Sequence, residues 1–239
     1  MDTKLSELSI FFPFWNEEAN IQQVVSKAIP IAENVASKWE IIMVDDGSAD
    51  DTLEIARKLA SKDERLKVVS LSPNRGYGAA IKAGLEKAKY DYIVFTDGDG
   101  QFDFSEITKF IEEIKYADMV IGFRKKRRDS NIIRRLLLMN LLRIWDFLLF
   151  KFHFKDIDCG FKMIKSSALE KILPLRSEGA MITTEILAKA KKKKLKIREV
   201  GVIHYPRIKG IQTGANIPVI VRAILESFIL WYDLHYGRT

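Results

Sequence analysis

Near the middle of the sequence stands Ile93-Val94-Phe95-Thr96-Asp97-Gly98-Asp99-Gly100-Gln101, an apolar run that ends in two carboxylates one residue apart. Apolar and β-branched residues bounded by glycine predict a short buried strand, and a buried parallel strand carries its binding residues at its carboxyl end. In an extended segment Asp97 and Asp99 would point the same way and could face one cation. Gly98 and Gly100 would let a bulky ligand approach the backbone. Two like charges this close require a cation between them.

A solvated turn and a calcium loop are the other interpretations of this stretch. An EF-hand loop that began at Asp97 would need Gly at its sixth position and Glu at its twelfth, where this chain has Phe102 and Thr108. A hard divalent ion fits better if the carboxylates hold it and substrate phosphates supply its remaining ligands. We therefore predict a Mg2+ or Mn2+ site for a diphosphate-bearing substrate, without a choice between the two metals.

The composition is that of one ordinary globular domain. The 239 residues are 47% hydrophobic and 30% charged, which is enough for a sizeable core and argues against disorder. Cys159 is the single cysteine, which excludes an internal disulfide framework and fits a reducing compartment. No basic segment or cleavage site accompanies the first apolar stretch at Leu8, so we expect no signal peptide and a cytoplasmic protein.

The net charge of +7 is unevenly distributed. Five cations follow one another at 124–128, and a second cluster spans Lys189 to Lys196. Such blocks are most often solvated faces, and next most often surfaces for nucleic acid or acidic lipid. The residues next to each block are needed to distinguish these interpretations.

Apolar runs alternate with segments of helical period along the first half of the chain. Strands are predicted at Leu8–Pro13, Glu40–Val44, Leu66–Leu71 and just before Asp97, with helices between them. This alternation predicts right-handed βαβ crossovers, hence an α/β fold with a mostly parallel, Rossmann-like sheet flanked by helices. Three polar clusters follow strand ends, so we expect them at one edge of that sheet: Asn16-Glu17, Asp45-Asp46 and Asp97–Asp99.

The glycine-rich stretch after the third strand does not match a dinucleotide fingerprint. In Gly76-x-Gly78-x-x-Ile81 isoleucine replaces the third glycine of that fingerprint. A Rossmann dehydrogenase is therefore disfavoured.

Two apolar helices are predicted in the second half, at Asn131–Phe150 and Ile217–Tyr236. Both are amphipathic and interrupted by charges, and neither reaches the roughly 18 uncharged residues of a spanning helix. A basic block followed by an apolar helix containing Trp145 suits a helix that lies in the membrane interface. Packing in the core, or in a homo-oligomer, is the alternative.

With these motifs in hand, the chain resembles family 2 glycosyltransferases of the GT-A fold, and among them the polyprenyl-phosphate hexosyltransferases that make dolichyl-phosphate mannose or glucose. Four signatures occur in the family's order: Pro13-x-x-Asn16-Glu17, Val44-Asp45-Asp46-Gly47-Ser48, Asp97-x-Asp99, and Asp156-x-x-Cys159-Gly160-Phe161-Lys162. The resemblance implies a single catalytic domain over 1–213, with a nucleotide-sugar half (1–124), an acceptor half (125–213) and a helical tail (214–239). Trp15 departs from the Tyr of many relatives.

The resemblance also implies roles for individual residues. The catalytic group would be Asp97, Asp99, Asp156 and Arg207. Metal ligands would be Asp97, Asp99 and Gln101. Contacts to the nucleotide sugar would come from Pro13, Trp15, Glu17, Val44, Asp46, Gly98, Gln101 and Arg124. Glu185 matches an acidic residue of the family and is expected, like Asp156, to orient rather than to act as a base.

The implied activity is an inverting transfer of hexose from UDP-glucose or GDP-mannose to a polyprenyl phosphate. The enzyme would attach peripherally to the inner face of a membrane and would not bind nucleic acid. A soluble family 2 transferase with a hydroxyl acceptor is the alternative, and Asp156 or Asp158 would then be the first candidate base. A basic binding module without catalysis ranks last, because acidic strand ends would repel an anion in the absence of metal.

Overall fold

The computed structural model describes residues 4–125, 149–207 and 217–237. Within these ranges seven strands form one sheet: β1 (Leu5–Phe14), β2 (Ala36–Asp45), β3 (Leu66–Ser70), β4 (Tyr92–Phe95), β5 (Met119–Arg124), β6 (Lys162–Lys165) and β7 (Ile197–Val202). The helices are α1 (Ile21–Val35), α2 (Thr52–Ala60), α3 (Tyr77–Lys87), α4 (Ile107–Ile114), α5 (Ser166–Ile172), α6 (Ile182–Lys192) and α7 (Ile217–Tyr236).

The strand order is β3-β2-β1-β4-β6-β5-β7, and β6 alone runs against its neighbours. The carboxyl ends of the other six strands therefore lie at one edge, and the predicted mostly parallel α/β sheet is confirmed. Because Lys162 pairs with Phe95, the start of β6 adjoins the end of β4. The turn that precedes β6 therefore lies at the edge of the sheet that carries Asp97.

Alternation along the strands divides the core into two layers. Ile10, Phe12 and Phe14 of β1 belong to the cluster on one face, whereas Phe11 belongs to the cluster on the other. The first face is covered by α1 through buried residues three and four apart, namely Ile21, Val25, Ala28, Ala32 and Val35. The second is covered by α3, α6 and α7, through residues that include Ile81, Ile186 and Leu230. Both faces are therefore covered by helices.

β4 ends at Phe95, earlier than the extended segment that the sequence predicted. Residues 98–99 form a turn, so Asp97 and Asp99 do not share a direction through strand alternation, and that prediction was wrong. Gly100 has φ +74°, a conformation that glycine adopts readily, and the chain turns there instead of continuing the strand.

Tertiary contacts determine where two other elements end. α1 continues past Ile29 and through Pro30, because burial of Ala32 and Val35 compensates for the one backbone hydrogen bond that proline removes. β7 stops at Val202, and His204 instead forms an isolated bridge with Phe102. α7 has the predicted bounds.

Some predicted features lie outside the described residues: 131–148 of the first amphipathic helix, the cations at 126–128, and residues 208–213. Leu149 and Phe150, which end that helix, are helical. Over the described part of the chain, no helix combines the length and the apolarity needed to cross a bilayer.

Candidate active site

Asp97 lies just beyond β4 in a narrow space. The Tyr77 hydroxyl donates a hydrogen bond of 2.9 Å to its Oδ1 atom. On another side, Gly160 approaches so closely that a Cβ atom there would lie 2.4 Å and 2.5 Å from the two Asp97 carboxylate oxygens. The orientation of this carboxylate is therefore set by both α3 and the turn before β6.

Asp99 faces a different partner. Its Oδ2 atom lies 3.7 Å from Arg207 Nη1, and its Oδ1 atom accepts a hydrogen bond of 3.0 Å from the Gln101 amide. Arg207 also pairs with Glu17, which follows β1. Burial raises the pKa of Asp99 to about 7, with a further increase from the charge of Asp97, while Arg207 lowers it. Among the described residues around Arg207, acidic charge thus exceeds cationic charge, which favours a bound cation.

Gln101 connects Arg207 to this loop. Its side-chain amide donates to the Tyr205 carbonyl at 2.8 Å, and the Tyr205 backbone N–H donates to the Gln101 carbonyl at 2.8 Å. These bonds hold residues 203–205 beside the Asp97–Asp99 loop, two residues before Arg207. The role of Gln101 as a metal ligand stays a prediction.

The donor set fits a hard divalent ion that shares its coordination with a substrate. Among residues 4–125, 149–207 and 217–237, no three His, Cys, Asp or Glu side chains are grouped so that they could hold a metal by themselves. Asp97 and Asp99 supply carboxylate oxygens, which Mg2+ and Mn2+ prefer. Two carboxylates completed by phosphate oxygens are the arrangement that Mg2+ commonly adopts with phosphate substrates.

The loops after β1 and β2 are bonded to each other. The Asn16 amide donates to Ser48 Oγ at 2.9 Å, the Ala49 amide donates to Asn16 Oδ1 at 2.8 Å, and the Glu17 amide donates to Thr52 Oγ1 at 2.8 Å. Trp15 is 41% exposed at this edge, whereas Pro13 and Val44 are buried neighbours in the β1–β2 ladder. Of these predicted nucleotide contacts, Trp15 alone offers an exposed ring.

Asp46 is buried and its carboxylate is surrounded by donors. It accepts hydrogen bonds of 2.9 Å from the Arg75 amide, the Gly76 amide and the Asn74 side chain. Burial raises the pKa of Asp46, although the two backbone hydrogen bonds oppose the increase. The sequence predicted that Asp46 contacts the nucleotide. In the structure its carboxylate also holds the loop before α3.

Arg124 and Asp156 form a buried ion pair at the same edge. Arg124 Nε lies 2.7 Å from Oδ2 and Nη2 lies 2.8 Å from Oδ1, and the Arg124 amide also donates to Oδ2 at 3.2 Å. Burial opposes the charge of Arg124, yet the hydrogen bonds and charge of Asp156 raise its pKa. The two predicted site residues are thus in contact, and each supplies hydrogen-bond partners and the opposite charge to the other.

Two further charged side chains position loops. The ammonium of Lys162 is fully buried and donates to the carbonyls of Ile157 and Cys159, which orders the turn after Asp156. Burial lowers the pKa of Lys162. Glu185 accepts from the backbone amides of Arg176 and Ser177 at 2.7–3.0 Å and so fixes the segment before α6, while its role as an orienting group in the reaction stays a prediction. Its burial raises the carboxyl pKa, but Lys189 and these amides lower it more.

Sequence reasoning missed two contributors, Tyr77 and Glu178. Glu178 pairs with Arg75 and with Lys82, and its carbonyl accepts from the Gly78 amide at 2.8 Å. The glycines at 76 and 78 were the available signal, because they mark a close backbone approach. Nothing local in the sequence identified the partner across that approach.

Comparison with known proteins adds a family. Residues 9–173 match the model for "Glycosyl transferase family 2". The dolichyl-phosphate beta-glucosyltransferase of Saccharomyces cerevisiae is 31% identical over 220 residues, covering 82% of this chain and 66% of the relative. The dodecaprenyl-phosphate galacturonate synthase of Rhizobium johnstonii is 29% identical over 240 residues, covering 96% and 68%. The chain thus spans about two thirds of the length of these relatives.

Solved structures share the fold. Glucosyl-3-phosphoglycerate synthase from Mycobacterium tuberculosis, crystallised with Mn2+, uridine diphosphate and glucosyl-3-phosphoglycerate, superposes with a TM-score of 0.67 at 21% identity. The match covers 95% of this chain and 80% of that one. The same protein has been crystallised with Mg2+ and uridine diphosphate. At this identity the likeness establishes the architecture of the sheet and its helices.

Proposed function

The chain belongs to glycosyl transferase family 2, and from that premise we propose that it transfers a hexose, with inversion, from a nucleoside-diphosphate sugar to a polyprenyl phosphate. The names of the relatives from yeast and Rhizobium support this class of acceptor. The observation that carries the proposal is the loop of Asp97 and Asp99 with Arg207 beside it, because it combines metal-binding carboxylates with a cation for a diphosphate.

When the hexose leaves its donor, the negative charge on the departing nucleoside diphosphate must be neutralised. A Mg2+ or Mn2+ ion held by Asp97 and Asp99 would act there as a Lewis acid towards the diphosphate. Arg207 lies against Asp99 and Glu17, so its guanidinium is already beside the position of that charge. Release of Arg207 from these carboxylates to the diphosphate would stabilise the charge that develops in the transition state.

The ion pair of Arg124 and Asp156 supports a phosphate acceptor over a hydroxyl acceptor. A hydroxyl must lose a proton, and both Asp156 oxygens already accept hydrogen bonds from Arg124. Asp158, the second candidate base, is exposed. A lipid phosphate is already anionic near neutral pH and needs correct positioning more than a base.

We also propose peripheral attachment to a membrane, at its inner face. One side of α7 exposes a stripe of residues four, three and four apart, Leu225, Ile229, Tyr232 and Tyr236, each 60–67% exposed. The opposite side packs Leu230 and Leu234 into the core. An exposed apolar and aromatic stripe suits the membrane interface, and the five cations at 124–128 would favour an anionic leaflet.

The test is transfer of labelled hexose to polyprenyl phosphate in vesicles. Candidate donors, UDP-glucose and GDP-mannose first, would be ranked by the rise in melting temperature that each causes with Mn2+, since binding to the folded state raises it. We expect one donor to stabilise the protein and to label the lipid. Transfer to a soluble glycan but not to the lipid would favour the hydroxyl-acceptor alternative, and stabilisation by no nucleotide would contradict the enzymatic proposal.

A further inference from the structure

We infer that Tyr77 is a positioning residue for the metal-binding carboxylate of Asp97, an inference that rests on the proposed metal site. Tyr77 is the first residue of α3, and its hydroxyl donates to Asp97 Oδ1 at 2.9 Å. Neither the family motifs nor the sequence patterns assign a role to this residue. A donor that contacts a ligating carboxylate fixes which of its oxygens faces the ion.

Tyr77 is the donor in this hydrogen bond. A tyrosine hydroxyl ordinarily keeps its proton at neutral pH. An ionised carboxylate accepts hydrogen bonds but has no proton to donate. The bond therefore runs from the Tyr77 hydroxyl to the Asp97 carboxylate.

Asp97 is confined by a second neighbour as well. The backbone of Gly160 leaves no room for even a methyl group beside the carboxylate oxygens. Among the described residues, the charged neighbour of Asp99 Oδ2 is Arg207, whose Nη1 atom lies 3.7 Å away. The two carboxylates therefore have different roles: Asp97 is held in a preset orientation, and Asp99 has a charged partner that it can exchange for a metal ion.

The loop that carries Tyr77 is itself held from two directions. Asp46 accepts from the amides of residues 75 and 76 on the nucleotide side. On the acceptor side the Glu178 carbonyl accepts from the Gly78 amide, and a Cβ atom on Gly78 would lie 2.6–2.7 Å from the backbone of residues 177–179. Tyr77 thus lies in a segment packed against both halves of the site. This packing fixes the position of its hydroxyl beside Asp97.

The competing interpretation is a tyrosine that fills space and whose hydroxyl merely finds a partner. Metal affinity distinguishes the two, because a space-filling ring is preserved in Tyr77→Phe while the donor is lost. Loss of a hydrogen-bond partner to a metal ligand typically weakens metal binding about 10-fold or more. If the tyrosine only fills space, the affinity for the metal ion would be unchanged in this variant.

The experiment is a titration with Mn2+ alone, followed by the EPR signal of free Mn2+, and repeated with uridine diphosphate present. We expect Tyr77→Phe to remain folded and to weaken Mn2+ binding about 10-fold. Tyr92→Phe is the matched control, since Tyr92 is a partly buried tyrosine of β4 that packs against the core. In an Asp97→Asn background, measured up to millimolar Mn2+, the effect of Tyr77→Phe should disappear, because Tyr77 acts through Asp97.

Each outcome decides the matter. Wild-type Mn2+ affinity in Tyr77→Phe would overturn the inference while leaving the proposed transfer intact, provided that the wild type binds Mn2+ and labels the lipid. Equal weakening in both tyrosine variants, or a persistent effect of Tyr77→Phe in the Asp97→Asn background, would assign a general structural role and so overturn the inference. A wild type that binds no Mn2+ even with uridine diphosphate present would overturn the metal site and this inference together.

Discussion

Arg124 and Asp156 lie face to face with two hydrogen bonds between them, at 2.7 Å and 2.8 Å, and both side chains are largely buried. We expect Asp156→Asn to leave a buried guanidinium without its counter-charge and to lower the free energy of unfolding by about 3–5 kcal/mol. Urea denaturation at pH 7 measures this change.

The control is the more exposed pair of Arg65 and Asp63, in which Nε and Nη2 likewise donate to the two carboxylate oxygens. Asp63→Asn should change the free energy of unfolding by no more than about 1 kcal/mol, because solvent screens the pair. Equal losses in the two variants would mean that the Arg124–Asp156 pair contributes no more than a surface contact.

Removal of either metal-loop carboxylate should abolish transfer and preserve the fold. We expect Asp97→Asn and Asp99→Asn each to lower kcat/KM at least about 100-fold, since a developing charge loses its stabilisation. In the absence of metal both variants should melt no lower than the wild type, because each removes repulsion between neighbouring carboxylates.

Asp103→Asn is the control for the loop. Asp103 is an exposed carboxylate that accepts from the Ser105 amide and caps the turn before α4. Activity should survive this change. Near-normal turnover in the Asp97 and Asp99 variants with added Mg2+ or Mn2+ would contradict the metal-site assignment.

Stability without metal should depend on pH through Asp99. The folded-state pKa of about 7 lies above the ordinary value of 3.8, so the folded protein binds more protons than the unfolded chain between these values. The free energy of unfolding should therefore fall as pH rises from 4 to 7 and should be lowest above the folded pKa. Calorimetry across this range should show a smaller fall in Asp99→Asn and in wild type with Mn2+; identical pH profiles would contradict the assignment.

The stripe on α7 predicts membrane affinity. Ile229→Asn with Tyr232→Ser should release the protein from phosphatidylcholine vesicles that contain anionic phosphatidylglycerol, because apolar area no longer enters the interface. Cosedimentation measures this. Tyr116→Ser is the matched control, since Tyr116 is 68% exposed on another part of the surface. Dimers that dissociate in the stripe variant, with no loss of vesicle binding, would make the stripe a contact between two copies of the chain.

The cationic block predicts a dependence on salt. Changing Lys125, Lys126, Arg127 and Arg128 to Gln should weaken binding to anionic vesicles and lower transfer to polyprenyl phosphate, while binding of the nucleotide sugar stays nearly unchanged. Salt should mimic the change, since attraction is screened within a Debye length of about 10 Å at 0.1 M. Wild-type sedimentation and transfer by this variant would mean that the block is a solvated face.

Local patterns were enough to predict the sheet and the edge that carries the site. Apolar runs alternating with helical periods report which faces are buried, and parallel strands place their carboxyl ends together, so the loops at Glu17, Asp46 and Asp97 could be assigned to one edge. The direction of the carboxylates within the 97–99 turn could not be predicted, because the end of β4 depends on backbone torsions that a periodicity does not encode.

Tertiary structure alone decided the partner of each polar side chain. Tyr77 reaches Asp97 across 20 residues, Arg124 reaches Asp156 across 32, and Arg207 reaches Glu17 across 190. A hydrogen bond requires its atoms within about 3 Å, and whether two distant residues meet that limit depends on how strands, turns and helices pack together. The residue types predicted the chemistry of this edge, and the packing determined the partner of each carboxylate: Tyr77 for Asp97, Arg207 for Asp99 and Arg124 for Asp156.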